Sequence, residues 1–292
     1  GVLSGSGTLV KTGTGTLTLN GANTYTGGTT LTAGTLSLGN ASALGDSTNA
    51  LNVTGASTLS TTSAMTVANA ISLNGANLTV NSTSNLTLSG VISSTGSLTK
   101  AGTADLTLSG ANSFGGGLNI NAGKLILANA GATGGGTITA GIGGTGALDT
   151  STAQTLTNLI QLNGNLTLTG SNDLTLLGKI SGTGGLNKAG ANTLTLGGAN
   201  DFTGAVDVQG GRLVSTNAIA LGASSQLDIA AAATVELQDG GTIGALSGAG
   251  SVDLVAGTLK VGSGTSSTFG GILGGGGNLE KVGTGTLQLT GT

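Results

Sequence analysis

No cysteine, proline, histidine or tryptophan occurs in this chain of 292 residues, and it has only four aromatic side chains, Tyr25, Phe114, Phe202 and Phe269. Without histidine or cysteine there is no Ser-His-Asp triad, no Cys-His nucleophile and no ordinary zinc site. Charge is also scarce: eight basic and eleven acidic residues give a net charge of −3, and no basic run appears. Nucleic acid is therefore excluded as a partner, because phosphate neutralisation needs clustered Lys and Arg and base stacking needs aromatics. No segment has the uninterrupted apolar length of a membrane helix; "AIALGASSQLDIAAAATVEL" is broken by Gln226 and Asp228. The lack of cysteine suits either a cytosolic protein or a chain that crosses a pore unfolded, where a premature disulfide would block transit.

What is present is glycine, 59 residues of it, together with abundant Leu, Val and Ile at regular spacing and a mean hydropathy of +0.32. A solvated linker would not carry that apolar content. The chain repeats itself. "GTLVKTGTGTLTLNGANTYTGGTTLTAGTLSL" (7–38) returns at 96–127 and 184–215, and a truncated copy, "GNLEKVGTGTLQLTGT", occupies 277–292. Lys11, Lys100, Lys188 and Lys281 mark the register of these copies.

Inside each copy the rhythm has period two: Leu17/Leu19, Leu106/Leu108 and Leu194/Leu196 flank Thr18, Thr107 and Thr195, which puts leucines on one face and threonines on the other. A second spacing decides the architecture. Leu17/Leu19 is followed nineteen residues later by Leu36/Leu38, and Leu106/Leu108 by Leu125/Leu127. With a further strand between them at Leu31, Ile120 or Val208, about twenty residues make one coil of a three-faced parallel β-helix, each coil ~4.8 Å above the last. The prediction is an all-β solenoid that is one continuous segment over 1–292, with Leu, Ile, Val and Ala stacked inside. Sandwich hairpins do not require side chains to recur at coil spacing, and a membrane barrel needs aromatic girdles and longer strands.

Several residues invite chemistry. Tyr25, Phe114 and Phe202 each follow Gly-Ala-Asn; they read as packing at a wide corner rather than as sugar-stacking platforms, which would stand about 20 Å apart. The marker lysines share the parity of the inward leucines, yet the expectation for a lysine is that the strand ends there and the stem snorkels outward. "GIGGTG" (141–146) matches a dinucleotide fingerprint but lacks the strand-to-helix context. "GGTGALDTS" (143–151) approaches a calcium-binding nonapeptide, with Asp149 one place late. Asp201 with Asp207, and Glu236 with Asp239 and Asp253, are the local carboxylate groupings; without an accompanying Arg they are half a glycosidase site and read as solvated turn acids. Arg212, the sole arginine, stands where the sister copies have Thr35 and Lys124 and reads as surface. Outward threonine pairs could bind ice if stacked coil after coil, but Thr16/Thr18 and Thr167/Thr169 read as too scattered for that. Asn-x-Ser/Thr sequons at Asn40, Asn52, Asn77, Asn81, Asn85 and Asn165 leave glycosylation open.

The phrase "GTGTLTLNGANTYTGGTTLTAGTLSLG" (13–39) resembles the passenger-associated transport repeat of bacterial autotransporters, in its L-T-L, N-T-Y-T-G-G and A-G-T-L elements. The copies at 96–127 and 184–215 share the likeness, with Phe for Tyr and "GGRLVS" in place of the last strand's second leucine. The resemblance implies a right-handed parallel β-helix displayed at the surface of a Gram-negative bacterium, delivered by a C-terminal or separate outer-membrane translocator. It further implies an adhesin passenger without catalytic or cofactor residues, whose partners are glycans or proteins of host or neighbouring cells, or other copies of itself. The sequence reads as an internal piece of such a passenger.

Overall fold

The computed structural model describes residues 1–141, 145–262 and 264–291 and divides into two compact units, Gly1–Thr139 and Ala140–Thr292. Among the described residues all regular structure is β, in short strands that pair only in parallel. The sole helix-like stretch of sequence, the alanine run at 230–233, is a turn leading into the strand Ala233–Leu237.

In the first unit, one sheet stacks Leu9–Lys11, Thr29–Leu31, Leu51–Val53, Ile71–Ser72 and Ile92–Ser93. A second stacks Thr16–Leu19, Gly34–Leu38, Ser57–Thr61, Asn77–Val80, Ser97–Lys100 and Leu118–Ile120. A third stacks Met65–Val67, Leu86–Leu88, Leu106–Leu108 and Lys124–Leu127. Each strand pairs with one a coil away in sequence, which is a β-solenoid with coils of about twenty residues. The second unit repeats the plan, with one sheet running through Leu166–Leu168, Leu186–Lys188, Val206–Val208 and Leu227–Ile229, and another through Leu174–Leu176, Thr193–Leu196, Gly211–Ser215 and Ala233–Leu237.

Alternation drives burial in strands such as Ser57–Thr61, Asn77–Val80 and Leu86–Leu88. Leu17, Leu36, Leu59 and Val80 align in one inward column, and Leu36, Leu59 and Val80 are essentially inaccessible to solvent. Each such aliphatic contributes roughly 1.5–3 kcal/mol. The outward neighbours form polar columns, and here an expectation needs correction. Thr16, Thr35, Thr58, Thr79 and Thr99 align across five consecutive coils of one sheet. The sequence disguises this column because coil lengths differ: Thr16 and Thr35 are 19 residues apart, Gly34 and Ser57 are 23, and in the second unit Val235 and Val252 are only 17.

Successive repeats do not fall on the same face. Lys11 lies in the sheet with Leu31 and Val53, whereas Lys100 lies in the sheet that begins with Thr16–Leu19. The interval of 89 residues between these two lysines is not a whole number of coils, so the second copy starts on a different side.

Candidate functional site

The residues that mark the repeat are all near a corner, and the structure shows what each one touches. Tyr25 sits in the loop between Thr16–Leu19 and Thr29–Leu31, Phe114 between Leu106–Leu108 and Leu118–Ile120, and Phe202 between Thr193–Leu196 and Val206–Val208. Tyr25 is 3 % exposed and the two phenylalanines 0 %. Rings this enclosed present no face to a sugar. The Tyr25 hydroxyl hydrogen-bonds the Thr29 hydroxyl, which satisfies the polar atom that phenylalanine lacks. Burial pushes the Tyr25 phenol pKa up, with the Thr29 bond acting the other way.

The marker lysines overturn the expectation of solvated amines. Lys11, Lys100 and Lys188 are buried, at 7 %, 2 % and 1 % exposure. Each continues an inward aliphatic column: Lys100 stands between Val80 and Ile120, Lys188 between Leu168 and Val208, and Lys11 beside Leu31. The methylene stem packs in the column, and the ammonium reaches the corner where main-chain carbonyls of two successive coils converge. Lys11 Nζ donates to the carbonyls of Thr12 (2.9 Å) and Gly13 (2.7 Å) in its own corner and of Ala33 (3.0 Å) in the next coil. Lys100 Nζ donates to Gly102 O and, 2.9 Å away, to Ala122 O. Lys188 Nζ donates to Gly190 O (2.7 Å), Asn192 Oδ1 (2.8 Å) and Gly210 O (3.1 Å). The lysine thus bridges two coils, and snorkelling is unnecessary because the carbonyls do what water would do. Lys281 differs: it is exposed and, among the described residues, bonds the carbonyls of its own corner, Val282 and Gly283.

The A-G-T-L element has its reason here. Gly34 and Gly123 adopt φ of +73° and +65°, and a Cβ on either would lie 2.7 Å and 2.6 Å from the Lys11 and Lys100 ammonium groups. Only glycine leaves room for the cage. Burial draws the Lys100 pKa down to about 8, against the raising influence of Asp105; Lys188 is lowered in the same way, with Asp173 opposing.

A third marker was missed in the sequence. The asparagine of Gly-Ala-Asn is buried in two of the three copies and half-buried in the other. Its amide links three coils: Asn23, Asn112 and Asn200 accept through Oδ1 from the backbone N–H of Leu3, Ile92 and Ile180, twenty residues earlier, at 2.9, 2.8 and 2.7 Å. Through Nδ2 they donate to the carbonyls of Ala43, Ala132 and Ala220, twenty residues later, at 2.7, 2.7 and 2.6 Å. The recurring Asn before the aromatic was the available signal, but its partners lie a full coil away on both sides.

Three of the carboxylates, Asp201, Glu236 and Asp149, are held by an ion pair or by several hydrogen bonds. Asp201 bonds Lys179 at 2.6 Å and Asp207 accepts from Gln209 Nε2 at 3.1 Å. Glu236 is buried against Arg212, so the arginine read as bare surface is half of an ion pair, with Val214 and Glu236 in register on adjacent strands. Glu236 and Asp253 are also in register, yet the Arg212 pairing leaves no free carboxylate couple there. Asp149 is buried; its Oδ1 accepts from the N–H of Thr150 and of Ser171, and its Oδ2 from the Ser171 hydroxyl. Burial pulls its pKa up, but these donors and Thr169 together outweigh it and hold the carboxyl below its ordinary value. The carboxylate is turned to protein donors rather than offered to a cation. Residues 142–144 of the "GIGGTG" match, the last two of which also open "GGTGALDTS", lie outside the described residues. No group of three His, Cys, Asp or Glu able to hold a metal occurs among the described residues.

In all three copies, then, the recurring polar side chains are directed at other coils of the same chain. Segments 9–38, 98–127 and 186–214 match the passenger-associated-transport-repeat. The three matches support an autotransporter passenger domain, and they coincide with the lysine cage, the asparagine bridge and the enclosed aromatic. No curated protein and no solved structure matches the chain.

Proposed function

We propose that this chain is a structural passenger segment of a secreted bacterial adhesin, a stalk exported to the surface of a Gram-negative cell that presents adhesive regions and does no catalysis. The observation that carries this reading is the presence of three passenger-associated transport repeats whose recurring polar groups are committed to holding coils together. Each coil gains its partners from the coil beside it, so an emerging chain can dock one coil at a time, and that docking favours forward export without ATP. The test is to join the chain upstream of an outer-membrane translocation domain and measure protease-resistant protein at the cell surface. The reading expects surface display that falls when residues 96–127 are deleted. Failure of the intact chain to reach the surface overturns the passenger assignment; secretion indifferent to the deletion overturns coil-by-coil export.

A second reading makes the solenoid itself adhesive, toward surface glycans or proteins or toward another copy. The column Thr16, Thr35, Thr58, Thr79 and Thr99 favours it, because it is an ordered row of hydroxyls across five successive coils of one sheet. Replacing Thr16, Thr35 and Thr58 by alanine should then weaken binding of the purified chain to a panel of glycans, matrix proteins and its own cells, with the unfolding midpoint unchanged. Absence of binding by the folded wild-type chain makes it a spacer.

A further inference from the structure

Each repeat is followed by an eight-residue phrase that the matched segments do not include. "NASALGDS" (40–47), "NAGATGGG" (129–136) and "NAIALGAS" (217–224) share the pattern N-A-x-A-x-G, while the matches stop at 38, 127 and 214. The phrase folds identically three times. Its asparagine caps its own turn, with Oδ1 of Asn40, Asn129 and Asn217 accepting from the N–H of Ser42, Gly131 and Ile219 at 2.9, 2.8 and 3.1 Å. The second alanine, Ala43, Ala132 or Ala220, is fully buried and offers its carbonyl to the bridging asparagine of the preceding coil. The glycine, Gly45, Gly134 or Gly222, takes a left-handed φ of +78°, +64° or +63° and lies directly on the aromatic. The next residue closes the structure: the N–H of Asp46, Gly135 and Ala223 donates to the main-chain carbonyl of Tyr25, Phe114 and Phe202 at 3.2, 3.0 and 3.0 Å.

We propose that repeat and phrase together form a three-coil clasp, in which the aromatic is the seat, the N-A-x-A-x-G turn is the lid and the Gly-Ala-Asn amide ties both to the coil beneath. These clasps are the segments of the solenoid that open last. Intervening coils carry side-chain bonds too, such as Ser82 to Thr61 and Ser171 to Asp149, but each of these joins two coils, whereas the clasp amide spans coils n−1, n and n+1. Opening any one of those coils strands a buried amide group, which makes the three coils yield together. The inference concerns the fold and holds whether or not the chain is a passenger.

Native-state hydrogen exchange of the full chain, read by mass spectrometry, tests it. The N–H groups of Ile92 and Gly135, and of Ile180 and Ala223, should exchange more slowly than those in Ile160–Leu162 and Leu166–Leu168, which lie outside the coils that Asn112 and Asn200 tie together. Asn112→Ala should accelerate exchange at Ile92 and over 129–135 by roughly ten- to a hundredfold, leaving Ile180 and Ala223 unchanged. Asn119→Ala, at a half-buried outward position one coil-face away, should do neither. Equal protection inside and outside the clasps overturns the proposal, as does an Asn112→Ala effect no greater than that of Asn119→Ala. Should Asn112→Ala not fold, Asn112→Asp keeps the acceptor for Ile92 and loses the donor to Ala132. It should loosen the lid at 129–135 while Ile92 stays protected, and equal loss on both sides overturns the bridge.

Discussion

Gly134 and Gly135 are adjacent, chemically identical and, on this structure, opposite in what they tolerate. Gly134 sits at φ +64°, where an ideal Cβ would lie 2.5 Å from the Phe114 carbonyl oxygen and 3.1 Å from its ring. Gly135 has open space where its Cβ would go. Gly134→Ala pays about 1–2 kcal/mol for the left-handed conformation. The Cβ must also push the Phe114 carbonyl away, which sacrifices the 3.0 Å bond from the Gly135 N–H at about 1 kcal/mol. Together these amount to about 2–3 kcal/mol. Gly135→Ala should stay within about 0.5 kcal/mol of wild type, as surface substitutions do. Gly134→Asn separates the two components, because asparagine accepts a positive φ but still carries the offending Cβ. It should recover part of the loss and not all of it. The assay is urea unfolding followed by far-ultraviolet circular dichroism, comparing midpoints at unchanged slope. If Gly134→Ala and Gly135→Ala shift the midpoint equally, the lid does not rest on the aromatic and the reasoning fails.

Amine-reactive labelling of the native protein should modify Lys179 and Lys260, whose side chains are about half exposed, well before Lys11, Lys100 and Lys188; uniform labelling would refute the carbonyl cages. Because burial takes Lys100 down to about 8 from an unfolded value of 10.5, the unfolded chain holds a proton that the folded chain has released between those values. Stability should therefore rise with pH across that window and be flat below it, a rise that Lys100→Met removes from the urea midpoint. Asp149 gives a slope of the same sign in the acid range: its lowered carboxyl contributes stability that is present at neutral pH and lost as pH falls, and Asp149→Asn should flatten that limb of the profile. The Thr150 hydroxyl is buried with no hydrogen-bond partner among the described residues, beside a small pocket of about 10 Å³. Thr150→Val should accordingly raise stability by about 1 kcal/mol, and a lower midpoint would show that the hydroxyl is satisfied after all.

The strand rhythm was fully legible: in Leu106–Leu108 or Leu174–Leu176 the alternation of Leu and Thr sets which face is buried, because a parallel coil has an inside and an outside and nothing else. The spacing of Leu17/Leu19 to Leu36/Leu38 gave the coil, and the parity of Lys11, Lys100 and Lys188 pointed inward. The inward lysines still could not be accepted from sequence, since an ammonium is stable inside only where acceptors converge. Those acceptors, Ala33, Ala122 and Gly210, belong to the next coil. The same distance hid the asparagine bridge, the Arg212 to Glu236 pair and the threonine column. Coils vary from 17 to 23 residues, so no fixed period brings partners together on paper. The sequence by itself determined the coil, its core and its outward polar faces, because those follow from local alternation and near-neighbour spacing. Only the tertiary structure decided what the repeated Lys, Asn, aromatic and N-A-x-A-x-G residues are for, because each finds its hydrogen-bond partner or packing surface one full coil away.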